Sequence, residues 1–166
     1  MHRRVFLVNS SLFSATALLN AKGLFDTKNS LSWLVIKEVL EIVFPKTKHM
    51  PSASEFGAVD YLLKNINHKT FDKDDLNYLL QGAKDFNSSF PKFLKSSLEE
   101  KNRIIKQVSQ NSYGQNWLSY LIYYGIEAML SDPIYGGNKN QIAYKALKFQ
   151  AGEPRPKFKY GKTDGI

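Results

Sequence analysis

The sequence has no cysteine and only three histidines. Without cysteine the chain can form no disulfide, hold no thiolate-bound metal and run no thiol chemistry. It is also indifferent to redox, so an oxidising compartment stays open as a destination. His2, His49 and His68 are scattered, and none has the spacing of a metal-binding pair. His68 falls at the predicted end of a helix, where it can meet the negative end of the dipole. With no evident base or thiolate beside them, the hydroxyl residues have no activator for nucleophilic work. Segments of period-two alternation joined by hairpin turns are missing as well, which argues against a sheet. Gly136-Gly137 lacks both the Gly-x-Gly-x-x-Gly dinucleotide pattern and the Gly-Lys-Ser/Thr of a phosphate loop. No catalytic, cofactor-binding or metal-binding residue is therefore expected in this chain.

What is present is a packed core and a skewed charge. A chain of 166 residues with 43% hydrophobic content suits a single domain without covalent staples. Lys and Arg number 23 against 15 Asp and Glu, a net charge of +8. From Lys139 onward there are seven basic residues (Lys139, Lys145, Lys148, Arg155, Lys157, Lys159 and Lys162) against Glu153 and Asp164, so the excess is concentrated in the tail. Such a tail suits nucleic acid, an anionic membrane, an acidic partner or plain solvation. Phe158-Lys159-Tyr160-Gly161-Lys162 interleaves aromatics with lysine, as base stacking would require. No recognition helix or RNA-binding motif frames it, and no nucleic-acid partner is predicted.

The body reads as helices: an all-α, compact single-domain bundle of about five, with an irregular basic C-terminal arm. Leu31, Leu34, Val35, Val39, Ile42 and Val43 make one helical stripe that Pro45 ends. Ser52-Ala-Ser-Glu55 fits a capping box, followed by an apolar face of Val59, Leu62, Leu63 and Ile66. Asp72 can cap a third helix with the stripe Leu76, Leu79, Leu80, Ala83 and Phe86. Ser96 and Ser97 each precede a Glu by three residues and open a fourth, carrying Leu98, Ile105 and Val108. Trp117, Leu118, Leu121, Ile122, Ala128 and Met129 are expected on the buried side of the fifth, and Ile142 to Phe149 could add a short helix. The acidic pairs Asp74-Asp75 and Glu99-Glu100 fall in first helical turns, where the dipole accounts for them.

The amino end reads as an address. Arg3 and Arg4 precede an apolar stretch from Val5 to Ala21 that Asn9, Ser10, Ser11, Ser14 and Thr16 soften. This is too short and too polar for a membrane span, which needs about 20 mainly apolar residues, but it has the build of an export signal. Arg3, Arg4, Phe6 and Leu7 resemble the R-R-x-F-L core of a bacterial twin-arginine signal, with His2 where Ser or Thr is usual and Val8 where Lys is common. An amphipathic first helix with two surface arginines is the plainer reading. Ala15-Thr16-Ala17 and Leu19-Asn20-Ala21 are both cleavage sites in form, and spacing does not choose between them. The expected organisation is thus an export signal over 1–21, a helical domain over 22–149 and a basic arm over 150–166.

One stretch exceeds what a helix end needs. In Ser131-Asp-Pro-Ile-Tyr-Gly-Gly-Asn138, Asp132-Pro133 alone would stop the preceding helix. Gly136 and Gly137 supply a tight reversal, Asn138 can bond its own backbone, and Tyr135 offers an apolar ring with a polar tip. The longer phrase IEAMLSDPIYGGNKNQIAYKALKF resembles the C-terminal signature of the gluconate 2-dehydrogenase subunit 3 family. Glu127, Asp132, Pro133, Tyr135, Gly136, Gly137, Asn138 and Lys145 match that signature. Ala128 replaces a usual Gly, and Ala143-Tyr144 replace Gly-Trp. Residues 53–62 are weakly similar to the family as well.

The resemblance implies a noncatalytic small (gamma) subunit of a membrane-associated dehydrogenase. Its large subunit carries FAD and oxidises a sugar or sugar acid, and a multihaem cytochrome c subunit takes the electrons. It further implies periplasmic location at the inner membrane, the twin-arginine translocase as a transient partner, and escort of the large subunit through export. Asp132, Pro133, Tyr135, Gly136, Gly137, Asn138 and Lys145 are then the expected partner-binding residues. A free-standing periplasmic binding or envelope protein with a basic tail is the alternative.

Overall fold

The computed structural model describes residues 29–159. The expected export signal, with Arg3, Arg4, Phe6 and Leu7, lies outside the described residues, as do the last seven residues of the arm. The chain divides into two units, Met1–Leu31 and Ser32–Ile166, and the helical body belongs to the second.

Seven α-helices and no strand occur among the described residues: α1 (Ser30–Val43), α2 (Ala53–Phe56), α3 (Ala58–Asn65), α4 (Lys73–Ser89), α5 (Leu98–Val108), α6 (Ser112–Leu130) and α7 (Ile142–Ala146). Three 3₁₀ turns, Phe93–Lys95, Pro133–Tyr135 and Lys139–Gln141, link them. The all-α class is as expected, with two helices more than the five anticipated. One extra arises at Gly57, whose left-handed backbone (φ 80°) ends α2 and starts α3. A side chain there would be strained, so a Gly is what lets one predicted helix fold as two. The other is α7, within the segment expected to add a short helix.

The predicted caps form as read. Ser52 Oγ accepts from the Glu55 amide, and the Glu55 carboxylate accepts from the Ser52 amide at 2.9 Å. Asp72 Oδ1 accepts from Asp74 N at 2.8 Å at the start of α4. Of the two serines before α5, Ser97 is the cap, accepting from Glu100 N at 3.2 Å. The Glu100 carboxylate turns instead to Arg103, whose guanidinium holds it below the usual carboxylate range.

α6 is the axis. It packs against α3 and α4 along its length and against α2 and α7 near its end. Trp117 on α6 is fully buried and its indole donates to the Leu79 carbonyl at 3.1 Å. It fits only because residue 82 on α4 is Gly: a Cβ there would sit 2.2 Å from Trp117 Cδ1. Phe86 meets Phe93 edge-on at 4.7 Å and lies 5.4 Å from Trp117, making an aromatic centre. Each such ring removes roughly 150–250 Å² from water, so this cluster dominates the core.

Several faces differ from the predicted stripes. In α1 the buried residues are Ser32, Trp33, Val35, Ile36, Val39 and Leu40, while Leu31 is exposed and Ile42 and Val43 are half-buried. Ser30, Lys37, Glu38 and Glu41 gather on one side of that helix and the buried residues lie opposite them, so the predicted stripe falls to one flank of the face that turns inward. In α5 Ile104 and Val108 are buried, and Leu98 is 67% exposed. In α6 the buried side runs Gly114, Trp117, Leu118, Leu121, Tyr124, Gly125 and Ala128, leaving Ile122 outside. No described helix is long and apolar enough to cross a membrane.

Candidate functional site

After α6 the chain turns back on itself, and most of the predicted partner-binding residues build that turn from within. Asp132 caps the first 3₁₀ turn, accepting from Ile134 N at 3.0 Å, with Pro133 at its first position. Gly136 takes φ 100°. Gly137 lies on the helix itself, where a Cβ would come within 2.1 Å of the Ala128 carbonyl. Asn138 has no exposed surface at all; its Nδ2 donates to the Ser131 carbonyl at 3.2 Å and its Oδ1 accepts from Ala143 N at 3.0 Å. Tyr144, standing where the family signature has Trp, is buried and its hydroxyl donates to the Leu130 carbonyl at 2.7 Å. Lys139 pairs with Asp60 on α3. Lys145 is exposed on α7, away from these internal bonds.

The arm does not stand clear of the body over its described part. Arg155 pairs with Asp132, and its guanidinium lies 5.7 Å from the centre of the Tyr144 ring. Lys159 donates to the Lys64 carbonyl at 3.4 Å. The basic arm thus has its first anchors on its own chain.

Tyr135 has a different position from Asn138. Its backbone carbonyl accepts from Asn65 Nδ2 at 2.8 Å, and it is one wall of a cleft of about 720 Å³ between α3, the start of α4 and α6. Tyr61, Phe71, Tyr120, Tyr123 and Tyr124 supply further rings; Asp72, Asp75 and Glu127 supply carboxylates, and His68 and Lys159 also line it. Phe71 stacks on Tyr124 at 5.3 Å, and the Tyr124 hydroxyl donates to Asp75 at 2.5 Å. Burial first, and then the hydrogen bond to Asp75, raise the Tyr124 phenol well above its ordinary value. Burial and then the Glu127 carboxylate do the same for Tyr61. Both phenols therefore stay neutral donors across the physiological range, poor as bases and good as binding surface. A second hollow of about 460 Å³ shares Tyr61, Tyr123, Glu127 and Tyr135 and continues over Ile126 and Leu130.

Sequence reasoning finds Tyr135 but misses the rest of the cleft. The helix dipole alone accounts for Asp75 in the sequence, and Glu127 is there a signature match without a task. The available signal is a second stripe on α6, since Tyr120, Tyr123, Tyr124 and Glu127 recur at helical spacing. Outside the cleft, Ile122, Ile126 and Leu130 remain 37%, 42% and 45% exposed, so α6 offers apolar surface on the side away from the core as well. Among the described residues no group of His, Asp and Glu could hold a metal ion.

Residues 31–152 match the family model described as gluconate 2-dehydrogenase subunit 3. No curated protein matches the chain, and no solved structure does.

Proposed function

Since the chain belongs to the gluconate 2-dehydrogenase subunit 3 family, we propose that it is the noncatalytic small subunit of a periplasmic, membrane-associated dehydrogenase, bound to an FAD-carrying large subunit that it escorts through twin-arginine export and stabilises. A multihaem cytochrome c subunit receives the electrons. The observation that carries this reading is the apolar and aromatic surface that α6 keeps on its outer side beside the signature turn. A helix with apolar residues on its solvent side is matched to another protein more often than to water. The chemistry of the cleft agrees. Asp72, Asp75 and Glu127 would face the diphosphate of a dinucleotide with like charge, which supports leaving the flavin to the large subunit.

Two measurements test the proposal. Co-expressed with the flavoprotein subunit, this chain should purify with it, whereas the mature chain alone should be colourless and oxidise no sugar. A yellow, active preparation of this chain alone would refute the noncatalytic role. The escort role rests on Arg3 and Arg4, because the translocase reads guanidinium pairs that lysine reproduces poorly. Replacing both with Lys should leave both subunits in the cytoplasm, and unchanged periplasmic dehydrogenase activity would remove the escort from the account.

A further inference from the structure

The cleft has a charge opposite to that of the molecule. The chain carries +8, yet three of the titratable groups lining the cleft are carboxylates: Asp72, Asp75 and Glu127. Among the described residues none of the three is in an ion pair; every pair there is elsewhere. Asp72 spends one oxygen on capping α4, and Asp75 accepts from Tyr124. The lining also carries five tyrosines and Phe71, and aromatic rings attract a cation that reaches their faces. An anionic occupant would meet three like charges. A wholly apolar one would strip water from those carboxylates and return nothing.

Among the described residues, the one lysine or arginine that lines the hollow is Lys159. Its ammonium donates to the Lys64 carbonyl and is in no ion pair with the three carboxylates among the described residues. Size then separates a small ion from a chain segment. The hollow of about 720 Å³ runs into the neighbouring one of about 460 Å³ through the four residues they share. Beyond the shared residues the second hollow is lined by Ile126, Leu130, Ser131 and Asp132, the last paired with Arg155, so apolar surface follows the acidic cleft along α6. A single ammonium ion would leave most of this surface uncovered, whereas several residues of extended chain would fill it.

Granted the subunit reading above, we propose that this cleft receives a cationic segment of the flavoprotein subunit, with an arginine or lysine side chain seated among Tyr61, Tyr123, Tyr124, Asp75 and Glu127 and an adjoining apolar side chain on Ile126 and Leu130. Tyr135 stands where the two hollows meet and positions the signature turn against the entering chain.

The test uses a double variant, Asp75→Asn with Glu127→Gln. Both changes keep the shape of the side chain and a carbonyl acceptor for Tyr124 and Tyr61, and circular dichroism checks that the fold is retained. Affinity for the purified flavoprotein subunit should fall at least about tenfold, as expected when one partner of a desolvated charge pair is removed. The wild-type affinity should weaken with added salt, and the variant's should weaken less. Equal affinity with an unchanged salt dependence overturns the proposal while leaving the subunit reading intact. A change in self-association alone overturns it in favour of a second copy as the occupant. A second arm uses a blocked tetra-arginine peptide against tetra-glutamate, titrated into the isolated chain and followed by tyrosine fluorescence. Tetra-arginine should bind the wild type and not the double variant, and tetra-glutamate should bind neither. If the wild type captures no flavoprotein, the subunit reading falls. Loss of tetra-arginine binding in the variant then still supports an acidic site for a cationic segment, and absence of any peptide binding overturns it.

Discussion

Replacing Asn138 with Ala should damage the isolated protein and leave its partner surface alone. The side chain is sealed from solvent and joins two backbone groups, the carbonyl of half-buried Ser131 and the amide of fully buried Ala143. Orphaning a buried polar group costs roughly 1–3 kcal/mol each. Asn138 also sits at φ 41°, ψ 46°, a left-handed conformation that costs an alanine roughly 1–2 kcal/mol. The sum over both groups and the backbone is about 3–8 kcal/mol, set against a total stability of roughly 5–15 kcal/mol for a domain. Asn138→Gly loses the same two bonds and escapes the backbone penalty, so it should be about 1 kcal/mol less harmful than the alanine. Urea unfolding of the isolated chain measures both, and the folded fraction of Asn138→Ala should bind the flavoprotein as the wild type does. Tyr135→Ala should do the converse, weakening the complex by about 2 kcal/mol or more and the isolated chain by less. A loss below about 1 kcal/mol for Asn138→Ala, or a glycine variant no better than the alanine, would refute the reasoning about the turn. If Tyr135→Ala unfolds the isolated chain while its folded fraction keeps full affinity, Tyr135 belongs to the turn and not to the interface.

Two further outcomes are expected from the packing. Gly82→Ala should destabilise by roughly 1–3 kcal/mol although alanine is the better helix former, because the new methyl overlaps the fixed Trp117 indole; thermal melting with Trp fluorescence checks it, and a stabilised variant would contradict the packing described. Tyr124 has a raised phenol value in the folded state, so its contribution is complete below the unfolded value near 10 and is lost as pH rises above that, at up to about 1.4 kcal/mol per pH unit. Tyr124→Phe should therefore be less stable at pH 7 but decline less steeply between pH 9 and 11 in urea titrations, and parallel curves for the two proteins would refute the assignment.

The parts of this fold that are legible in sequence are those decided within a few residues. Ser52 with Glu55, Asp72 and Ser97 cap their helices because each side chain reaches an amide two or three positions on. Helix existence is legible for the same reason. Orientation is only partly so: in α1 the side opposite Lys37, Glu38 and Glu41 turns inward, but a stripe drawn through Leu31, Leu34 and Ile42 falls to one flank of it and misses Trp33, Ile36 and Leu40. Register fails in α5, where Ile104 and Ile105 are adjacent and only one can face the core. The signature turn is visible as a motif, but its residues divide by depth, with Asn138 sealed and Tyr135 at a cleft wall. The cleft is the least legible part, since Asp75 meets Tyr124 across 49 positions and Asn65 meets Tyr135 across 70. No local period records such a meeting.

The staple at Asn138 also changes how the end of α6 can move. The last carbonyls of a helix ordinarily lack partners, and the final turn opens and closes on its own. Here the carbonyls of Leu130 and Ser131 are held by Tyr144 and Asn138, residues 14 and 7 positions further along. Asn138 in turn holds the first turn of α7. The end of α6, the turn and α7 are therefore one opening unit, which frays together or not at all. Amides from Ile126 to Ser131 and from Ala143 to Leu147 would share one opening free energy in hydrogen exchange. Anything that grips Tyr135 from outside slows exchange on both sides of the turn at once, so an event at the surface is felt by the innermost helix of the bundle as a change in how often its end comes undone.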